Sequence, residues 1–385
     1  MPRYIDERRL AFFGALCLFL SSLEFLIPKP LPFLRIGLAN LPILLCLTPP
    51  AERNQNIFPV RFILALVGLK IAGQALLGGT LFSYIFVFSA AGSFTSAAVM
   101  LAANRLFGNK LSLIGLSVLG SLGSNAAQIL FARCYLLGEG AWLIAPFFFM
   151  LGTASGFLLG VFALALRENI GRGPWIVYPA DESSAANSAE QQQPAFDTMA
   201  FFSAVCGLIS VLPFVFSASF KAKLILAVFY MALCFSCGKR IRLLPNIILF
   251  LTVTALHCFQ PFGKVLFTIG DFPFTEGAIH TGLFRSATLI GLVYLSRLCV
   301  RPSIAFPGKA GRVLSAALRD FERLTAGSRP ALSNFWVSLD TILAAVWLAP
   351  QNAGNVTADT RFRLRQAVPG LLIVFFTWAA YIYWG

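Results

Sequence analysis

Charge is what this sequence has least of. Asp, Glu, Lys and Arg make up 12% of its 385 residues, about half the share found in soluble globular domains. With 58% hydrophobic residues and a mean hydropathy of +0.78, that scarcity excludes a soluble fold and predicts an integral membrane protein. Histidine is scarcer still: His257 and His280 stand far apart and suggest no metal cluster, so no metal or other cofactor is expected. There are seven Asp and no two are adjacent, which leaves no carboxylate cage for Mg²⁺ on a phosphate. "CGKR" and "FGKV" lack the upstream glycine spacing and the following Ser or Thr of a P-loop. The chain is therefore not expected to hydrolyse ATP, and no enzymatic activity is expected of it. Most of the eight Cys fall inside apolar segments, where a free thiol behaves as a small hydrophobe. "CFSC" at 234–237 is a lone Cys-x-x-Cys without a partner pair.

The few charges are unevenly signed, giving a net charge of +14. Nucleic acid is not the expected partner. Basic residues flank apolar spans here, as they do in cytoplasmic loops of membrane proteins. Windows of about 20 apolar residues, enough to cross a bilayer, occur at 11–28, 36–50, 58–77, 81–103, 111–133 and 141–166. The second is short and contains Pro42, which suits a bent or partial crossing. "MPRYIDERRL" precedes the first run and no small-residue cleavage site follows it, so that run reads as a span rather than a secretory signal. With the N-terminus cytoplasmic, nine basic residues of this half fall inside (Arg3, Arg61 and Lys110 among them) and three outside, namely Lys29, Arg35 and Arg133.

The stretch "YPADESSAANSAEQQQPAFD" at 178–197 has too little apolar content to bury a core and reads as a flexible cytoplasmic linker. It divides a domain at 1–175 from one at 199–385, with 176–198 between them. Further spans are expected at 200–217, 222–237, 243–259, 281–299 and 367–384. Between the last two, 309–329 is amphipathic at helical spacing. Val313, Leu314, Ala317, Phe321 and Leu324 form one face and Arg312, Arg319 and Arg323 a basic one. Such a segment suits the membrane surface or a partner's groove. Positive-inside counting makes it cytoplasmic.

Polar residues inside spans are costly and usually face a cavity or each other. Glu24, Asn40, the pair Lys70 and Gln74, Ser83 with Tyr84, and the pair Asn125 and Gln128 fall at a similar depth on five helices. Lys70 and Gln74 are four apart, Asn125 and Gln128 three apart, so each pair shares a helix face. They form either an internal network, with Glu24 pairing Lys70, or a ligand cavity open to the outside. In "GGTLFSYIFVFSAAGSFTSAAVM" at 78–100, seven of the twenty-three residues are Ser, Thr or Tyr. Gly92, Ser93 and Ser96, with Gly115, Gly120 and Gly123 on the next span, permit the close helix approach that small residues allow in lipid.

That stretch, with "LRIGLANLPILLCL" at 34–47 and "LIGLSVLGSLGSNAAQILFA" at 113–132, resembles the Gx transporter family. That family is often labelled heptaprenyl diphosphate synthase component I and is similar to the six-helix substrate-binding S components of energy-coupling factor transporters. The resemblance covers about 8–168 and implies that Glu24, Gly37, Asn40, Gly79, Thr80, Ser83, Asn125 and Gln128 match the family pattern. The second half, in "FKAKLILAVFYMAL" at 220–233 and in 263–297 with Thr275, Glu276, Gly277 and Arg285, resembles the T component of the same transporters. "AGRVLSAALRD" at 310–320 and "DTRFRLRQA" at 359–367 are the nearest counterparts of its ATPase-docking motifs. The resemblance thus implies an all-α polytopic membrane protein, an S–T fusion in a bacterial cytoplasmic (inner) membrane. Its coupling segment would lie at about 305–366, its partners would be ATP-binding cassette ATPases, and its substrate a small vitamin-like or precursor molecule. The alternative is a non-transporting membrane scaffold assisting an isoprenoid, quinone or flavin-linked redox pathway.

Overall fold

Apolar runs that can hydrogen-bond only to themselves in lipid must become helices, and the described residues are helical almost throughout. The computed structural model describes residues 2–26, 37–47, 58–170, 198–239, 241, 243–269, 272–300, 308–326, 335–348 and 364–384. The linker at 178–197 and the segment 359–363 lie outside the described residues. In the first half, α1 is Pro2–Leu26, α2 is Leu41–Leu47, α3 is Val60–Gly78, α4 is Tyr84–Phe107, α5 is Leu113–Phe131 and α6 is Ala141–Ile170. The second half contains α7 Thr198–Phe216, α8 Phe220–Ser236, α9 Leu243–Cys258, a hairpin of β1 Val265–Ile269 and β2 Phe272–Thr275, then α10 Glu276–Cys299. It ends with α11 Gly308–Ala326, α12 Phe335–Leu348 and α13 Leu364–Trp384. Among the described residues, six stretches are long and apolar enough to cross a membrane: Val60–Gly78, Tyr84–Phe107, Leu113–Glu168, Thr198–Phe216, Glu276–Cys299 and Ala367–Trp384. Large apolar side chains such as Leu158, Leu212 and Leu251 point outward, as lipid-facing groups should. This is an all-α, multi-pass membrane protein.

Local signals set the helix ends. Ser112 caps α5 by accepting from the Gly115 N–H, and Ser219 caps α8 by accepting from the Ala222 N–H. Gly79 ends α3 in the left-handed region, with φ 58, a conformation glycine adopts without strain. The short second crossing is a 3₁₀ turn, Leu38–Asn40, running into α2. Together they rise only about 15 Å, half a bilayer.

Glycine governs how α4, α5 and α6 approach one another. A Cβ at Gly156 would lie 2.9 Å from the Val118 Cα, and one at Gly160 would lie 2.5 Å from the Ile114 Cα. With Gly152, these residues make a ladder at four-residue spacing along the α5–α6 seam. Gly92, Gly120 and Gly123 play this part between α4 and α5, where a Cβ would strike Gln128, Met100 and Val99 respectively. Gly115 does not: its nearest neighbours, Leu111 and Ser112, belong to its own turn.

The two halves pack through several apolar clusters, one of which joins Tyr84, Phe88, Ile129 and Phe148 to Leu249, Val253, Leu289 and Val293. Their relative attitude follows from three contacts. The Phe82 N–H donates to Ser296 Oγ at 3.0 Å, Arg285 donates to the Tyr135 carbonyl at 2.9 Å, and Gln260 donates to the Leu137 carbonyl at 3.2 Å. Phe82 and Tyr135 both belong to the end of the first bundle assigned outside. Yet their partners stand eleven residues apart on α10, roughly 16 Å along its axis. Moreover, a Cβ at Gly79 would sit 3.5 Å from the Cα of Arg297, a residue assigned inside. Upright halves with that sidedness would hold Gly79 and Arg297 on opposite faces of the bilayer. The end of the first bundle that carries Gly79, Phe82 and Tyr135 instead meets α10 along its side.

Candidate buried polar site

Six of the eight expected site residues converge. Glu24 of α1, Asn40 of the 3₁₀ turn, Lys70 and Gln74 of α3, and Asn125 and Gln128 of α5 line one cavity of about 30 Å³. Every one of these side chains is buried except that of Asn40, which is half-buried. The Lys70 ammonium donates to Asn40 Oδ1 at 2.5 Å and to Ser93 Oγ at 3.0 Å. Glu24 accepts from the Gly37 N–H at 3.2 Å. Gly37 has φ 90, so the turn that brings this N–H to the carboxylate favours glycine. Gln74 donates to Ser21 Oγ at 2.8 Å and accepts from Ser89 at 3.1 Å.

On the far wall, the Asn125 amide donates to the Phe148 carbonyl at 2.5 Å and Ser121 donates to the Gly152 carbonyl at 2.7 Å. Both bonds reach across the α5–α6 seam, so the glycine ladder positions the site as well as the helices. A Cβ at Gly92 would lie 2.7 Å from both Gln128 Nε2 and Ser124 Oγ. Glycine there leaves room for the amide.

Ser83 and Tyr84 stand elsewhere. The Ser83 hydroxyl donates to the Thr80 carbonyl at 2.7 Å, a local bond at the start of α4. Tyr84 is buried with Phe88 in the apolar cluster shared with α10. The packing of the second half, which no local pattern reveals, draws Tyr84 to that side. Ser89, Ser93, Ser121 and Ser124 line the cavity without having been singled out as site residues. Their signal was spacing. Ser89 and Ser93 are four apart, and Ser121 and Ser124 share the face of Asn125 and Gln128.

Residues 13–166 match the profile of a family described as heptaprenyl diphosphate synthase component I. Residues 200–302 match a domain of unknown function, DUF8519. No curated protein and no solved structure gives a match. The first match spans α1 to α6 and so covers every residue lining the cavity. Among the described residues, no group of three His, Cys, Asp or Glu is placed to hold a metal ion.

The amphipathic segment forms α11 as expected, but its apolar face is already in use. Val313, Leu314 and Ala317 pack on Ala11 of α1 and Leu69 of α3. Neither a partner's groove nor the membrane surface receives these anchors. Arg312 lies 3.8 Å from Glu7, Arg323 lies 3.2 Å from Asp320, and Arg319 is half-buried. The side chains of Arg312 and Arg323 each keep 32% of their surface exposed. At the centre, Arg8 of α1 donates to the fully buried carboxylate of Asp320 at 2.5 Å. It also donates to the carbonyls of Val346 and Trp347 at the end of α12, at 3.1 and 2.9 Å. One arginine of the first helix thus ties together α1, α11 and α12.

Proposed function

We propose that this chain is the membrane subunit of an energy-coupled uptake transporter in a bacterial cytoplasmic membrane. The first bundle binds a small molecule and the second passes on work done by separate ATP-binding cassette subunits. The observation that carries this reading is the buried polar cavity. Opposite charges, amides and hydroxyls inside a membrane bundle are expensive, and recognition of a polar solute is a reason to keep them. The Arg8 node supports it as well, since it links the binding bundle mechanically to α11 and α12. Arg312, Arg319 and Arg323, each partly buried, are then the cations that would face an ATPase. On this reading the chain performs no chemistry of its own, because the cavity's single carboxylate cannot hold Mg²⁺ and a diphosphate together.

The test is purification from native membranes followed by reconstitution. ATP-binding cassette subunits should co-purify, and proteoliposomes should accumulate solute only with ATP. Redox enzymes co-purifying in place of ATPases, with no ATP-dependent uptake, would establish the scaffold instead. One observation favours that second reading: the apolar face of α11 is occupied within the chain, which removes one way of docking a partner.

Sidedness has its own test. Single cysteines placed within 178–197, in a background where the exposed Cys134 and Cys237 are replaced by Ser, should resist impermeant thiol reagents in intact cells. Fast labelling from outside would invert the assignment and the transport direction with it.

A further inference from the structure

The β1–β2 hairpin takes no part in the polar site, and its surface chemistry says where it lies. Every residue from Pro261 to Thr268 is exposed. Phe262, Val265, Leu266 and Phe267 are 53%, 51%, 53% and 50% exposed. Successive side chains of a strand point to opposite faces, so three consecutive exposed apolar residues leave neither face of β1 covered by the bundle. Phe267 stacks on Phe274 of β2, with ring centroids 4.8 Å apart and planes 12° from parallel.

Water is a poor medium for this element. A lone two-stranded hairpin is marginal in water, and contiguous exposed apolar surface marks a contact site. The hydrocarbon core is closed to it too. Among the described residues the sheet has two strands, so each keeps an unpaired backbone edge, and such edges do not face lipid tails. The zone between them, where headgroups meet acyl chains, satisfies both demands. Two observations set that zone at the root of the hairpin. The exposed stripe of α9 recurs at helical spacing through Leu244, Ile248, Leu251 and Ala255, and continues into Phe259 and Phe262. The apolar surface is thus unbroken from the lipid-facing side of α9 to the hairpin. Beside it, Tyr135 and Trp142 are 62% and 48% exposed, and the Arg133 guanidinium lies 5.4 Å from the Trp142 ring. Gln260 ties that connection to the end of α9 through the Leu137 carbonyl. Exposed aromatics mark the boundary between membrane and water.

We propose that the hairpin is an interfacial anchor that binds the phospholipid bilayer itself. Val265, Leu266 and Phe267 enter the upper acyl region, and Lys264 extends its ammonium to the phosphates, as long cationic side chains do at this boundary. Strand β2 runs directly into α10. The anchor therefore fixes the depth of the helix that receives Phe82 and Tyr135 of the first bundle. None of this depends on transport.

The experiment reads depth in the full chain, in phosphatidylcholine nanodiscs, with Cys134, Cys237 and Cys258 replaced by Ser. Nitroxides are attached after Leu266→Cys, Val265→Cys, Leu251→Cys or Lys309→Cys, one at a time. Collision with oxygen, which enters lipid, is compared with collision with a water-soluble nickel chelate. The label at 266 should lie about 5–10 Å below the phosphates. The label at 251, roughly 10 Å before the end of α9, should lie deeper. Lys309, exposed at the start of α11, reports water. Position 265 gives the same reading if a label at 266 disturbs the strand. Nickel contact at 266 equal to that at 309 would put the hairpin in water, and a depth equal to that at 251 would put it in the hydrocarbon core. Either result overturns the anchor. Low collision with both reagents would mean that protein, a second copy or another subunit, covers the hairpin, and would overturn it as well.

Discussion

Arg8→Met is expected to destabilise the protein by about 3–5 kcal/mol, the usual loss when one partner of a buried ion pair is removed. The Asp320 side chain has no exposed surface, and Arg8 approaches it at 2.5 Å while also holding two carbonyls at the end of α12. Arg323 still reaches Asp320 at 3.2 Å, which places the expected loss toward the lower end of that range. Asp320→Leu should cost a similar amount, because it takes from Arg8, 15% exposed, the carboxylate that it meets at 2.5 Å. The pair Arg8→Met with Asp320→Leu should recover most of the stability, as apolar replacements of buried pairs commonly do. Thermal unfolding in detergent reads all three. If the node transmits motion, the double variant should fold and bind ligand yet fail in ATP-driven uptake. Uptake at the native rate would reduce Arg8 and Asp320 to a structural clamp. Additive losses in the double variant would show that they do not act as a pair.

The site was legible in the sequence where a polar residue could have no other business in a membrane. Lys70 with Gln74, and Asn125 with Gln128, declare both a burial requirement and a shared face through their spacing. All four line the cavity. Serine declares less. Its hydroxyl can satisfy itself on a carbonyl of its own helix, as Ser203 and Ser210 do at 2.9 and 2.8 Å. Ser89, Ser93, Ser121 and Ser124 therefore became visible only with the helices in place. Tyr84 was placed wrongly because its environment is made by α10, some two hundred residues further on. An amphipathic pattern such as that of α11 states that a face is covered, never by what. Here the cover is α1, whose own small residues, Ala11 and Gly14, were not expected to face it. The contact of the first bundle's end with the side of α10 is a long-range packing outcome and left no trace in charge counting, which assumes that every span stands upright.

Gly156→Leu is expected to have the larger effect on the site, because Gly156 holds the α5–α6 seam and also lines a smaller cavity beside the polar one. A Cβ there would lie 2.9 Å from the Val118 Cα and 3.2 Å from the Ser117 carbonyl oxygen. Backbone cannot turn aside as a side chain can, so α6 must move away from α5. Overpacking of this kind costs about 1–3 kcal/mol even for added methylenes, and a leucine adds four carbons. The same movement would stretch the bonds from Asn125 to the Phe148 carbonyl and from Ser121 to the Gly152 carbonyl, which hold the far wall of the cavity. Unfolding temperature and ligand affinity should therefore fall together. Gly156→Ala should show both effects at smaller size. Gly68 provides the control: it lies in α3 with nothing within 4 Å of a built Cβ. Gly68→Ala should be neutral or stabilising by up to about 1 kcal/mol, the helix-propensity gain of alanine, and should leave affinity unchanged. Equal effects at Gly156 and Gly68 would mean that helix propensity, not the α5–α6 approach, is what these glycines govern. A Gly156→Ala protein that loses stability but keeps full affinity would detach the far wall of the cavity from the seam.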